Sequence, residues 1–380
     1  MSEPGFVTES DALHARVQAF AQGDSSEDFD ALALDIARFQ GRYIPAYRRL
    51  LDARGSSLGS ASDIVAVPTD AFRLARVAVH PESLDQARFI SSGTSSAARS
   101  QHPIRRLDTY QVTTVRFAKE KLVDDTHARR VVVALAPHPG TPPTSSLGFM
   151  MRALMVALDG RALSVDPDGA LFNPDNLERW LVSNQGLNLS GLERAARIAL
   201  ERQEPLLLLA TSLALVNLLE VLEGRILRCP RSTVVMQTGG TKGRTLRATA
   251  PEIAAGVARA FGIGADRVVS EYGMTELCSQ AYSDVLRLGE GSDVYVPAPC
   301  LRITPVDPVR LRPLADGQPG LARFVDLCNV DSAVAVLTQD LVQTCDGGVQ
   351  LLGRRPGAPA RGCSLDLEDL ILYRNVQGAG

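Results

Sequence analysis

The string FISSGTSSAARS, residues 89–100, carries the residue types that hold phosphate. Hydroxyls of Ser91, Ser92, Thr94, Ser95 and Ser96 supply donors, Gly93 lets the backbone turn so that N–H groups converge, and Arg99 supplies a counter-charge. It is not a Walker loop, because G-x-x-x-x-G-K-[ST] occurs nowhere in the chain. The same composition also suits an exposed linker, and the apolar run ARFI directly before it favours the phosphate reading. A second string, VVSEYGMTELCSQ at 268–280, places Tyr272, Gly273, Thr275 and Glu276 at the end of an apolar run, where α/β proteins put ligand contacts. Beside a glycine an aromatic ring can stack on a purine, a threonine can donate to phosphate, and a glutamate can hold magnesium through oxygen. The alternative is a strand-to-helix turn with Glu276 at a helix start. In a third string, QTGGTKGR at 237–244, Gly239 and Gly240 would let a ring lie close to the backbone; a plain turn fits it equally.

Chemistry at strand ends requires strands. RRVVVALA (129–136), STVVMQ (232–237) and DRVVSEYG (266–273) are short β-rich runs separated by helical stretches, which predicts an α/β protein with a parallel or mixed sheet covered on both faces. The strongest apolar run, PLLLLATSLALVNLL at 205–219, reads as a buried strand over 206–210 and a core helix over 212–223 ending near Gly224, with Ser212 as N-cap. Apolar spacing of three and four predicts helices over 10–21, 28–40 and 45–53, and SSLGSASD (56–63) reads as a linker. Beyond Asp293, short apolar runs and the prolines 297, 299, 305, 308, 313 and 319 suggest a small β-rich subdomain.

Composition excludes several function classes. In 380 residues, 45% are hydrophobic and 22% charged, enough to bury a core. A net charge of -3 leaves no electrostatic footprint for nucleic acid. The run at 205–219 is shorter than the ~20 residues of a membrane span and is interrupted by Thr211, Ser212 and Asn217, so membrane insertion is not expected. The polar N-terminus lacks the pattern of a signal peptide, and the six cysteines contain no C-x-x-C pair, which together predict reduced thiols and a cytoplasmic address.

The order of the strings says more than any one of them. SSGTS, TGG, EYGMTE, VLTQDL (336–341) and LLGRR (351–355) follow one another as do the core motifs of the adenylate-forming superfamily of acyl-CoA ligases, luciferases and nonribosomal adenylation domains, and the resemblance spans residues 89–369. Within it the chain is most similar to LuxE-type acyl-protein synthetases, through VPTDAFR (67–73), SSLGFMMRAL (145–154) and an end shortly after the G-R motif. The resemblance implies a large α/β adenylation core over 1–352, built of stacked α/β sheets with a small β-rich subdomain. Residues 353–380 would be a truncated segment, the lid domain being absent or a stub.

It also implies roles. Ser91 to Ser96 would hold the phosphates of ATP, with Arg99 as their cation. Gly239, Gly240, Tyr272 and Gly273 would frame the adenine, Thr275 would meet the α-phosphate, and Glu276 would bind Mg2+. Asp340 would accept the ribose hydroxyls, with Arg354 nearby. The loop departs from the family pattern T-G-x-P-K, reading Ser95-Ser96-Ala97-Ala98-Arg99. The lid lysine is missing, so adenylation proceeds without it or a partner supplies it. After G-R, the family's R-G pair is Arg361-Gly362 and the next residue is Cys363, placed to take the acyl group as a thioester; an incidental cysteine is the alternative. The expected activity is thus adenylation of a carboxylic acid, fatty or aryl, then acyl transfer through Cys363 to a partner protein, a reductase or carrier. Transfer to coenzyme A in the manner of phenylacetate-CoA ligases, and a non-catalytic scaffold of the same fold, stay open.

Overall fold

Three helices open the fold: α1 (Pro4–Ala21), α2 (Phe29–Tyr43) and α3 (Pro45–Arg54). The computed structural model describes residues 4–24, 26–91, 99–124, 129–140, 142–158, 177–239, 248–289 and 293–356; residues 92–98, Gly240 and Cys363 lie outside them. α2 begins where Asp28 accepts a hydrogen bond from the Ala31 N–H, and buries Leu32, Ile36 and Phe39. α3 begins at a proline and stops at Gly55 in the left-handed conformation, φ 63°. The stretch 56–63, expected as a linker, joins α3 to the first strand and is held at one buried side chain. Leu58 is buried, its carbonyl accepts two hydrogen bonds from the Arg38 guanidinium, and Ser56 Oγ donates to the Asp63 carbonyl at 2.7 Å. One apolar side chain among small polar ones anchors the segment, which composition alone does not reveal.

Next come β1 (Val67–Pro68), α4 (Ala71–Leu74), and the antiparallel pair β2 (Ala87–Ile90) and β3 (Gln101–Ile104), which brackets the hydroxyl-rich loop. The central layer is built from α5 (Leu107–Leu122), β4 (Val131–Leu135), α6 (Ser146–Ala157), a small hairpin of β5 (Val182–Ser183) and β6 (Gly186–Leu187), α7 (Leu189–Arg202), β7 (Leu206–Thr211), α8 (Ser212–Leu222), β8 (Val234–Thr238), α9 (Ala250–Phe261) and β9 (Val268–Tyr272). β4, β7, β8 and β9 are neighbours in that order and all parallel. Their side chains divide by parity. Val132, Ala134, Leu207, Leu209, Val234 and Met236 enter one core with α5 and α6, whereas Val131, Val133, Leu206, Leu208 and Val235 enter a second with α7, α8 and α9. Both faces are covered, so the strands read as unbroken apolar runs.

The cap of α8 is Thr211, whose Oγ1 accepts from the Ala214 N–H at 3.2 Å, not Ser212. The strand extends one residue beyond its apolar run, and the last extended residue takes the cap. Ser212 Oγ instead donates to the Gly239 carbonyl at 2.9 Å, tying α8 to the end of β8. Thr211→Ala is expected to cost about 1 kcal/mol, read as a lower urea midpoint at unchanged m-value; an unchanged midpoint would discount the cap.

The chain then reverses. β10 (Ala281–Ser283) pairs antiparallel with β9, and α10 (Val285–Leu288), β11 (Val294–Pro297), β12 (Leu301–Val306), β13 (Gly320–Asp326), β14 (Ala335–Cys345) and β15 (Gly348–Arg354) follow. The β-rich part beyond Asp293 therefore continues the parallel layer through β10–β11, giving an 11-stranded mixed sheet among the described residues. β1 pairs parallel with β14. No helix among the described residues is long and apolar enough to cross a membrane.

Candidate functional site

The C-terminal ends of β8 and β9 lie side by side, with Thr238 directly opposite Glu271 in the ladder. Gly239 follows with φ 90°, a left-handed turn that favours glycine, and its carbonyl is held by Ser212. After Tyr272 the chain passes Gly273 and Met274, turns at Thr275 and Glu276, and returns as β10. No helix starts at Glu276, so the strand-to-helix alternative does not hold.

That turn is pinned from three sides. His102 on β3 meets the Thr275 carbonyl through Nδ1 at 2.8 Å, and since a carbonyl only accepts, Nδ1 carries the proton. Burial holds the ring neutral, its pKa pushed down to about 4. Asn329 Nδ2 donates to the Glu276 carbonyl at 2.9 Å. Asp326, wholly buried, accepts from the N–H groups of Cys278 (2.8 Å), Ser279 (2.9 Å) and Cys328 (3.0 Å) and from Ser279 Oγ (2.7 Å). Burial raises its pKa against these bonds. Because His102 stands on the strand that leaves the hydroxyl-rich loop, it fastens that hairpin to the threonine-glutamate turn. Ser91 and Ser100 close the neck of the loop: Ser91 N–H donates to the Ser100 carbonyl and Ser100 N–H to Ser91 Oγ, both at 3.0 Å. Arg99, beside that neck, is exposed. Ser92, Gly93, Thr94, Ser95, Ser96, Gly240 and Cys363 fall outside the described residues.

A second group forms beside the turn. Tyr272 OH donates to Asp340 Oδ2 at 2.7 Å, and Arg354, the cross-strand partner of Asp340, brings Nε to 3.4 Å from Oδ1. One face of the Tyr272 ring lies nearly parallel to Phe324, centroids 5.8 Å apart and planes 10° apart. Three residues assigned from separate motifs thus meet around one half-buried carboxylate, which presents acceptor oxygens backed by a cation. Thr275 and Glu276 are both buried. Their oxygen donors suit magnesium, which is held by one or two carboxylates together with nucleotide phosphates rather than by an all-protein cage. Among the described residues no group of three His, Cys, Asp or Glu could hold a metal by itself.

Sequence reasoning passed over Glu271, His102, Asn329, Asp326 and Phe324. Only Glu271 carried a signal: a carboxylate within a strand run otherwise apolar or hydroxylic. It is fully buried, accepts a hydrogen bond from Thr238 Oγ1 through Oε2, and has its pKa pushed up to about 7 by burial, the threonine opposing.

A mixed α/β sheet with strand-end motifs of this kind matches the fold of adenylate-forming ligases. No family model matches the sequence, and no curated protein matches it. Among solved structures the chain is similar to 2-hydroxyisobutyryl-CoA ligase in an open conformation with 2-HIB-AMP and CoA: TM-score 0.58, 15% identity, 86% of this chain and 74% of that one. The same ligase in its postadenylation state with R3-HIB-AMP gives TM-score 0.57 at 16% identity over 93% of this chain and 69% of that one. In its thioesterification state with 2-HIB-AMP and CoA it gives TM-score 0.55 at 16% identity, with the same coverages. At such identity the likeness is one of fold.

Proposed function

We propose that the protein activates a carboxylic acid with ATP, forming an acyl-adenylate and releasing pyrophosphate, and then passes the acyl group through Cys363 to a partner protein. The observation that carries the first step is the convergence, where the chain leaves β9, of the Tyr272–Asp340–Arg354 group with the Thr275–Glu276 turn. Similar solved structures hold an acyl-AMP, which supports the same reading.

In this reading Asp340 accepts the ribose hydroxyls and Arg354, beside it, orients it. Thr275 donates to the α-phosphate, its carbonyl being occupied by His102, so the hydroxyl is the group left to act. Glu276 would hold magnesium, and the ion would supply neutralising charge for the departing pyrophosphate. Ser91 and the hydroxyls that follow it receive the β- and γ-phosphates. The carboxylate oxygen of the acid attacks the α-phosphorus, the bond from that phosphorus to the bridging oxygen breaks, and pyrophosphate leaves. No general base is needed, because the nucleophile is already ionised.

For the second step four of the five described cysteines make poor nucleophiles. Burial pushes Cys229 up to about 12, Cys278 and Cys328 well above the usual thiol range, and Cys345 upward. The thiol of Cys363 attacks the adenylate carbonyl and AMP leaves. Purified protein is therefore expected to catalyse acid- and magnesium-dependent exchange between pyrophosphate and ATP, and Cys363→Ala to keep that exchange while losing the hydroxylamine-sensitive adduct in intact-protein mass spectra. A full adduct on Cys363→Ala removes the acyl-protein synthetase reading and leaves a ligase with another acceptor such as coenzyme A. Absence of exchange across a broad acid panel, in folded protein, favours a scaffold.

A further inference from the structure

No step of the reaction uses VPTDAFR, residues 67–73, yet this segment touches both halves of the site. β1 pairs with β14 through Val67–Val336 and Pro68–Leu337, and the Thr69 N–H donates to the Leu337 carbonyl at 3.0 Å. Asp340 lies a few residues further along β14. α4 then carries Phe72, 1% exposed, to the ring of His102. The two centroids lie 5.6 Å apart with the planes at 78°, an edge-to-face contact that fixes the imidazole plane. On the neighbouring strand Phe89, wholly buried, is the cross-strand partner of His102. A packed path thus runs from the Asp340 strand through Phe72 and His102 to the Thr275 carbonyl.

A histidine is destabilising in this apolar place. Its Nδ1 donates to the Thr275 carbonyl, and among the described residues Nε2, a bare lone pair, is buried with no hydrogen-bond partner. A leucine or phenylalanine would fill the same space without an unsatisfied nitrogen, so what the histidine contributes is its bond to Thr275. Asn329, on the β13–β14 connection, repeats the pattern. Its Nδ2 holds the Glu276 carbonyl at 2.9 Å, while Oδ1 is buried without a partner among the described residues. Two consecutive carbonyls are held in this way. Because each peptide unit is planar, the backbone is fixed on both sides of Glu276.

We propose that His102, oriented by Phe72, is a positioning residue for the adenylation step, aiming Thr275 and Glu276 at the α-phosphate and magnesium of bound ATP. The 67–73 segment keeps that aim in line with Asp340 on β14, so that the ribose and phosphate ends of the nucleotide meet parts of one packed unit. His102 touches neither ATP nor the acid; it acts through the turn. This rests on the adenylation reading for the reaction served, but the hold of His102 on the turn is measurable in binding as well as in turnover.

The experiment measures ATP binding by calorimetry, with magnesium and in chelator, alongside pyrophosphate exchange. It compares the unaltered protein with His102→Asn, His102→Leu and Phe72→Leu. Asparagine and leucine have nearly the same shape, but only asparagine can donate to the Thr275 carbonyl. The unaltered protein should bind ATP at least about tenfold tighter with magnesium than without. In His102→Leu that gain should fall to within about threefold. Its kcat for exchange should drop at least about 30-fold, as when a catalytic group is misplaced, with KM for the acid unchanged. His102→Asn should return both quantities to within about threefold of the unaltered protein. Magnesium-free ATP affinity, set by Asp340 and Arg354, should be alike in all. Equal behaviour of the asparagine and leucine variants overturns the proposal, since a merely structural place would not distinguish them. A parallel fall in magnesium-free affinity overturns it too, because that marks general damage to the site. If His102→Leu does not fold, Phe72→Leu, which retains the histidine, decides: its magnesium gain should drop at least about threefold, and an unchanged gain overturns the proposal. A difference between the two His102 variants in magnesium gain, with no exchange by any protein, supports the positioning role and removes adenylation. Exchange with no such difference does the reverse. Absence of ATP binding by the unaltered protein overturns both.

Discussion

Glu276→Gln is expected to reduce acid-dependent pyrophosphate exchange by about 100-fold or more, since a bound divalent cation supplies several kcal/mol of charge stabilisation in such reactions. The substitution is near-isosteric and removes one hard anionic oxygen while leaving the backbone of the turn untouched. That backbone has its own supports: His102 on the Thr275 carbonyl, Asn329 on the Glu276 carbonyl, and Asp326 on the N–H groups of Cys278 and Ser279. Circular dichroism and the unfolding midpoint should therefore change little while exchange collapses, and raising magnesium should restore part of it. Near-normal exchange at limiting ATP and magnesium would take the metal-binding role away from Glu276.

Asp331→Ala is expected to destabilise the protein by about 3–5 kcal/mol, the usual loss when one partner of a buried charge network is removed. Asp331 is 6% exposed. Its Oδ2 meets His14 Nε2 and Arg105 Nε, each at 2.9 Å, and its Oδ1 accepts from Ser10 Oγ. His14 and Ser10 belong to α1, and Arg105 follows β3, so one carboxylate joins the first helix to the loop hairpin and to the β13–β14 connection. Without it Arg105 keeps, among the described residues, Asp11 as a counter-charge at 2.7 Å. Burial raises the Asp331 pKa, but the hydrogen bond and charge of His14, with Arg105 and Ser10, outweigh it and hold the group at about 2. A folded value below the unfolded ~3.9 means that this stabilisation is complete above that value and is lost as pH falls through about 2. The difference in unfolding free energy between the parent and Asp331→Ala should thus be full at pH 7 and shrink as pH falls below about 4. A loss under about 1 kcal/mol at pH 7 would show that the network adds little beyond the cost of burying it.

The central strands were legible because covering both faces of a sheet forces nearly every side chain to be apolar. VVVAL, LLLLAT and VVMQT stand out against any background, and all three are strands. The Glu-Tyr-Gly-Met-Thr-Glu string was legible as a strand end, and the structure places it at the end of β9 and the turn that follows. The order of motifs then led to the adenylate-forming fold, a conclusion that pairwise sequence similarity did not reach.

Other features depended on contacts between distant segments. The capping hydroxyl of α8 shifted from Ser212 to Thr211 because strand length depends on pairing with β8, not on the local apolar run. Leu58 anchors the linker after α3, a contact its composition does not reveal. β11–β15 read as a β-rich unit, but whether it joined the parallel layer depended on the β9–β10–β11 pairings. His102, Asn329 and Asp326 belong to no motif; each acts through a turn supplied by another part of the chain. Glu271 sat in plain view within its string, yet its burial follows from Thr238, 33 residues away, and from the helices above. Composition, periodicity and motif order act over a few residues and determined the element types, the fold class and the candidate chemistry. Strand register and crossover act over the whole chain, and they alone decided which side chains meet and which carboxylates are buried.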